Sequence, residues 1–233
     1  MKLKEKIIAA ALSAVMMTAS AAALPALAAP KFTDISGHWA EATIIDLADK
    51  GVVHGVTSTE FNPDGTVTRA EFLKMAMEVM GIGTVPFRRG ECLETQRTDW
   101  FAPYLQSALD KGLIPENMIA GYSLDVHRVE DVTIKAVYSG AFNGYIPITR
   151  EEMAVIAQYM YQYTRNANTM RHMAEGAELK FSDSDDISGW AHEAVKLAYA
   201  QGFIDGMGDG TFAPKATATR AQAATIISQM IIE

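Results

Sequence analysis

The sequence predicts a mainly α-helical protein built from three helix-loop-helix units, with a small β-hairpin inserted in the second. Three observations carry this. "TVTRAEF" at 66–72 returns as "PITREEM" at 147–153 and "TATRAQA" at 217–223, and self-similarity at wide spacing marks a repeat architecture. Trp39, Trp100 and Trp190 each stand twelve residues before Gly51, Gly112 and Gly202, while Phe61, Phe142 and Phe212 each stand eight before Arg69, Arg150 and Arg220. The interval from Trp to Arg is 30 residues in the first and third units but 50 in the second, so 20 extra residues lie between Gly112 and Phe142.

Taken in chain order, Lys2, Lys4 and Lys6 precede an uncharged, Ala-rich run from 7 to 29 that ends in Ala26, Leu27 and Ala28. This is the pattern of a secretory signal peptide over 1–28, cleaved near Ala28, although the run is also long enough for an uncleaved anchor. The whole chain carries a formal charge of −8, and without the signal it retains 17 basic and 27 acidic residues, a net −10. Such acidity excludes a broad basic surface for nucleic acid, and no membrane contact is expected after cleavage. Cys92 is the single cysteine, so no intramolecular disulfide can form. With no His or second Cys nearby, it reads as a small apolar residue.

The first helix of each unit follows its Trp. Apolar residues recur at Ile44, Leu47 and Ala48, at Leu105, Ala108 and Leu109, and at Val195, Ala198 and Tyr199, the spacing of an amphipathic helix of about three turns. Each helix is predicted to stop at its glycine, which accepts the left-handed cap conformation, and Lys50 and Lys111 complement the helix C-terminus. The second helices follow the Arg residues. Phe72, Leu73, Met75, Ala76, Val79 and Met80, with their counterparts in the other units, form stripes too wide for a surface helix, so these three helices are expected to share one core. Units are predicted over 31–82, 93–163 and 180–233.

Within the insert, about 118–139, apolar and polar residues alternate around Val126, Arg128, Val132, Ile134 and Val137. The alternation predicts two short strands of a hairpin turning near Glu130 and Asp131. The stretch from Tyr163 to Lys180 reads as a polar connection that begins as a continuation of the preceding helix.

The Thr-Arg motif divides into two parts. Thr68 with Glu71, Thr149 with Glu152 and Thr219 with Gln222 fit the capping box, worth about 1 kcal/mol each, and Val67 with Phe72 and Ile148 with Met153 fit the hydrophobic staple. Arg69, Arg150 and Arg220 occupy the first helical position, where the helix dipole disfavours a cation. Each needs a compensating partner: a nearby carboxylate in a salt bridge, or a carboxylate or phosphate ligand met jointly by helix N–H groups and guanidinium. Trp39, Trp100 and Trp190 at the first helices read as half-core, half-exposed indoles, and Trp beside Arg is also an arrangement that holds an acidic sugar.

Other chemistries find little support. No G-x-S-x-G, H-E-x-x-H or Cys-His arrangement is present, and the cluster Asp183, Asp185, Asp186 reads as a solvated loop, so no enzyme activity and no cofactor are expected. Glu60, Asn62, Asp64, Gly65 and Glu71 fall on EF-hand-like positions, which keeps open a calcium-dependent structural role. Against it, position 1 is Glu, Pro63 sits inside the loop, and Lys215 and Ala216 replace Asp64 and Gly65 in the third unit.

The order "FTDISGHWAEATIIDLADKGVV" then "FNPDGTVTRAEF" resembles an S-layer homology repeat, and "FSDSDDISGWAHEAVKLAYAQGFIDGMGDGTFAPKATATRAQA" resembles it more fully. "DWFAPYLQSALDKGLI" and "FNGYIPITREEM" are similar to a divergent third copy. The resemblance implies a pseudo-threefold arrangement around a central three-helix bundle, and grooves between units that bind secondary cell-wall polysaccharide, often through a pyruvylated amino sugar. It also implies a cell-surface location. By position it assigns glycan binding to Arg69, Arg150, Arg220, Trp39, Trp100, Trp190, Asp34 and Asp183, with Arg69 or Arg220 favoured over Arg150. Glu151, standing where Ala70 and Ala221 stand, is a departure, as is Gln222. The insert is the expected surface for any protein partner, which would make the chain an adaptor.

Overall fold

The computed structural model describes residues 32–88, 95–129, 133–165 and 176–231, with backbone alone over 122–129 and 133–139. The expected signal segment, Cys92, the 130–131 turn and residues 166–175 lie outside the described residues. The described residues are mainly helical, in three helix pairs. The first unit holds α1 (Glu41–Asp49) and α2 (Arg69–Val79), and the second α3 (Ala102–Asp110) and α4 (Arg150–Thr164). The third holds α5 (Gly189–Ala200) and α6 (Arg220–Ile231).

Each first helix ends as the glycine pattern requires. Gly51, Gly112 and Gly202 take φ of 71°, 63° and 76°, a region that costs a side chain about 1–2 kcal/mol. The following N–H groups of Val52, Leu113 and Phe203 then turn back onto the carbonyls of Leu47, Ala108 and Ala198. The second helices start at their caps. Glu71 N donates to Thr68 Oγ1 at 3.2 Å while Thr68 N donates to the Glu71 carboxylate at 2.8 Å, and Thr149 with Glu152 and Thr219 with Gln222 repeat the exchange.

The wide apolar stripes meet as the sequence predicts. α2, α4 and α6 pack on one another pairwise, burying Phe72, Leu73 and Met77, Met153, Ile156 and Met160, and Ile227 and Met230. Full burial of one such side chain stabilises by about 1.5–3 kcal/mol. Each first helix leans on the second helix of the preceding unit: α3 on α2, α5 on α4, and α1 on α6. The backbone closes the same cycle just before the helices, where Val67 N donates to Ala218 O, Ala218 N to Ile148 O, and Ile148 N to Val67 O at 2.9–3.2 Å. No unit therefore completes its own core.

The insert forms an antiparallel ribbon of β1 (Ala120–Val129) and β2 (Thr133–Ala141), paired from Ser123 opposite Ser139 to Val129 opposite Thr133. The register breaks between Ala120 and Ser123. Here Gly140, at φ 120°, approaches so closely that a Cβ would stand 2.6 Å from Ile119. The strands are longer than the short ones predicted, because pairing extends past the alternating core of the insert to the edge of the second unit's loop.

Candidate functional site: the junctions between helical units

The three arginines open their helices as predicted, and each reaches into the neighbouring unit. The Arg69 guanidinium donates from Nη1 to Phe142 O at 2.5 Å and from Nη2 to Met118 O at 2.6 Å, and stacks on the Phe142 ring at 4.8 Å. Arg150 donates from Nε to Phe212 O at 2.7 Å and stacks on Phe212 at 5.1 Å. Arg220 donates from Nε to Phe61 O and from Nη2 to His54 O, both at 2.8 Å, and stacks on Phe61 at 4.7 Å. First grips second, second grips third, and third grips first.

The helix N–H groups that could meet a ligand anion are used in the same junctions. Arg69 N and Ala70 N donate to Ile146 O and Gly144 O, Arg150 N and Glu151 N to Ala216 O and Pro214 O, and Arg220 N and Ala221 N to Gly65 O and Pro63 O. Thus the positive end of each helix dipole faces the carbonyls of the next unit's loop. The compensation demanded by an arginine at the first helical position comes chiefly from backbone carbonyls and a phenylalanine face, to which the Arg69–Glu152 pair at 3.6 Å adds a carboxylate. Burial pulls the Arg150 and Arg220 guanidinium groups down from the ordinary arginine value, opposed by the charge of Asp183 for Arg150 and by Glu71 and Asp34 for Arg220.

Asp34 and Asp183 hold these loops from the other side. Asp34 accepts from Phe61 N at 2.9 Å and Asn62 N at 2.6 Å, and Asp183 accepts from Phe212 N and Ala213 N at 2.8 Å. Desolvation opposes the Asp34 charge, but the backbone N–H groups and Arg220 together outweigh it and hold the carboxyl below the ordinary aspartate value. The same backbone position is left-handed in all three loops, at Asn62, Asn143 and Ala213 with φ of 57°, 53° and 53°. In this way aspartate, phenylalanine and arginine form one clamp.

The tryptophans differ in setting. Trp39 is 65% exposed and Trp100 45%, whereas Trp190 is half-buried against the core. A groove of about 480 Å³ lies where the units meet, lined by Trp39 of the first, Arg150 and Met153 of the second, and Gly206, Met207 and Gln222 of the third. The corresponding place beside the first unit holds about 210 Å³, lined by Val53, His54, Glu71, Lys74 and Arg220. At the second unit a hollow of about 370 Å³, lined by Ile114, Glu116, Ile119 and Tyr159, adjoins the root of the ribbon.

Glu151, a departure from the motif, has a defined role. It is 4% exposed, accepts from Ser188 N at 2.9 Å and Ser188 Oγ at 3.0 Å, and pairs with Lys215 Nζ at 2.5 Å. Glu151 stands where the other units have Ala70 and Ala221, and Lys215 where they have Asp64 and Tyr145, so the two opposite charges occur together only at this junction. The calcium-type positions are spent elsewhere: Asp64 on His38 at 3.3 Å and Glu71 on Thr68. Among the described residues no three His, Cys, Asp or Glu side chains are set to hold a metal.

Comparison with known proteins bears on this architecture. The S-layer homology domain matches residues 31–73 and 180–224. The chain is 34% identical to an amylopullulanase of Thermoanaerobacterium thermosulfurigenes over 84% of its own length and 9% of the relative's. Exoglucanase XynX of Acetivibrio thermocellus is also 34% identical, over 84% of this chain and 16% of the enzyme. The S-layer protein sap of Bacillus anthracis is 25% identical over 97% of this chain and 24% of that protein. The chain therefore spans less than a quarter of the length of these relatives. S-layer homology segments and surface-layer relatives associate it with the cell wall and cell surface, and no described helix is long and apolar enough to cross a membrane.

Proposed function

We propose that this protein is a non-covalent cell-wall anchor whose inter-unit grooves bind secondary cell-wall polysaccharide through an acidic, pyruvylated amino sugar, and that residues 93–163 form a third, divergent S-layer homology repeat. The observation that carries the reading is the groove in which exposed Trp39 faces the arginine junction of two other units. An indole face stacks on a sugar ring while a guanidinium pairs with its carboxylate. The cyclic contacts of α2, α4 and α6 support a pseudo-threefold arrangement in which each groove draws on neighbouring repeats. In this reading Arg69, Arg220, Asp34 and Asp183 shape the grooves by clamping their loops, and Trp100 and Trp190 are the positional counterparts of Trp39 in the other units. The glycan-degrading relatives align over 9% and 16% of their lengths, so their catalysis does not carry over to this chain.

The test is a titration of intrinsic tryptophan fluorescence with purified wall polysaccharide. Saturable quenching that Trp39→Ala removes supports the reading, and polymer-independent fluorescence contradicts it. The ribbon is a separate candidate partner-binding surface, a two-stranded sheet whose strands pair with each other. Co-purification from the cell surface with and without residues 120–141 tests that role.

A further inference from the structure

The three junction arginines are equivalent in position and unequal in how their donors are spent. We infer that the groove at Arg150 is the junction equipped to take the ligand's carboxylate, and that Gln222 is the residue that keeps it so; this rests on the glycan reading above.

Arg69 commits both terminal nitrogens to carbonyls of the second unit and lies 3.6 Å from the Glu152 carboxylate. Arg220 commits Nε and Nη2, and Glu71 and Asp34 supply negative charge beside it. Arg150 commits Nε alone. Its Nη1 and Nη2 have no hydrogen-bond partner among the described residues, although the residue is only 6% exposed and lines the groove. A guanidinium withdrawn from water with an open fork is suited to one planar anion held by two parallel N–H donors.

The difference traces to one capping residue. In the first two junctions the third helical residue that completes the cap is a glutamate, Glu71 or Glu152, and its charge falls beside the arginine reaching in from the neighbouring unit. At the third it is Gln222, whose Oε1 accepts from Thr219 N at 3.1 Å while Nε2 turns toward Met207 Sδ at 3.7 Å on the groove wall. The amide therefore keeps the cap, removes the competing carboxylate and adds a donor. Asp183 is the acid whose charge reaches Arg150, and both its oxygens already accept from Phe212 and Ala213. Asp205 also lines this groove, from an exposed position where solvent screens it. Trp39, Met153 and Met207 leave an apolar wall for the sugar face and a methyl substituent.

The experiment is calorimetric titration of the full chain with purified wall polysaccharide, native and after mild acid has removed its pyruvate. Gln222→Glu retains the cap, and its melting temperature verifies folding. It is expected to weaken binding of native polymer by roughly 10- to 100-fold, the range for losing a hydrogen-bonded charge, and to leave binding of stripped polymer unchanged. Glu152→Gln, at the junction of Arg69, is expected to leave affinity for native polymer within about twofold because that fork is already occupied. Native binding by Gln222→Glu equal to wild type, with loss in Arg220→Ala, would overturn the inference and leave the glycan reading standing. Equal weakening on both polymers would overturn it as well. Failure of the wild-type chain to bind native polymer would overturn both.

Discussion

The Glu151–Lys215 pair joins the second unit to the third, and its strength can be measured by a double-mutant cycle. The Glu151 side chain is 5% exposed and that of Lys215 54%. Removing one partner of a fully buried pair costs about 3–5 kcal/mol, but the half-exposed lysine admits water to the vacated oxygen, and Ser188 still donates twice to the carboxylate. Lys215→Met should therefore cost about 1–2 kcal/mol. Glu151→Ala should cost a similar amount, because it deprives Ser188 N of its acceptor just before α5. The double variant, which restores at 151 the alanine found at 70 and 221, should be less destabilised than the sum by about 1–2 kcal/mol. For a chain of this size each kcal/mol moves the melting temperature by about 2–4 °C, so circular dichroism melts at neutral pH resolve the cycle. Additivity to within about 0.5 kcal/mol would refute the coupling.

Further outcomes follow from other contacts. Tyr104 donates to the Glu78 carboxylate at 2.6 Å, and desolvation followed by that carboxylate pushes its phenol up to about 12. Its contribution to stability is full below the ordinary tyrosine value of 10.0 and is lost as pH rises toward 12. In Glu78→Gln, phenolate absorbance should rise at lower pH than in the wild type. Gly144→Ala should lower the melting temperature by several degrees, since a Cβ there stands 2.6 Å from the buried Phe101 ring and overpacking of that kind costs about 1–3 kcal/mol. Asp34→Asn should destabilise the first loop at neutral pH. Because the folded Asp34 carboxyl lies below 3.8, the gap between wild type and variant should close as pH falls through that folded value. A gap that persists in acid would show that the charge contributes nothing.

The features legible in the sequence are those whose causes are local. Thr68, Glu71 and Gly51 act within four residues of where they stand, so the capping boxes and helix stops could be read directly. The shared core was legible because the second-helix stripes are too wide to serve one neighbour. The partners of the arginines were not legible. Arg69 meets Phe142 at a separation of 73 residues and Arg220 meets Phe61 at 159, and no periodicity spans such distances. The sequence suggested a carboxylate or a ligand, and the principal partner is backbone, which every residue carries and no motif advertises. Arg150 looked the weakest candidate because Glu151 follows it, its unit lacks the phenylalanine-led start of the others, and the insert lies beside its loop. Yet Glu151 turns to Ser188 and Lys215, so its charge is occupied away from the groove.

Recognition of an acidic wall glycan at the arginine junctions is tested most directly by co-sedimentation of the intact chain with isolated cell walls. The prediction is pelleting with native walls and markedly weaker, residual pelleting once mild acid has stripped pyruvate from the polymer. Undiminished pelleting with stripped walls would contradict it.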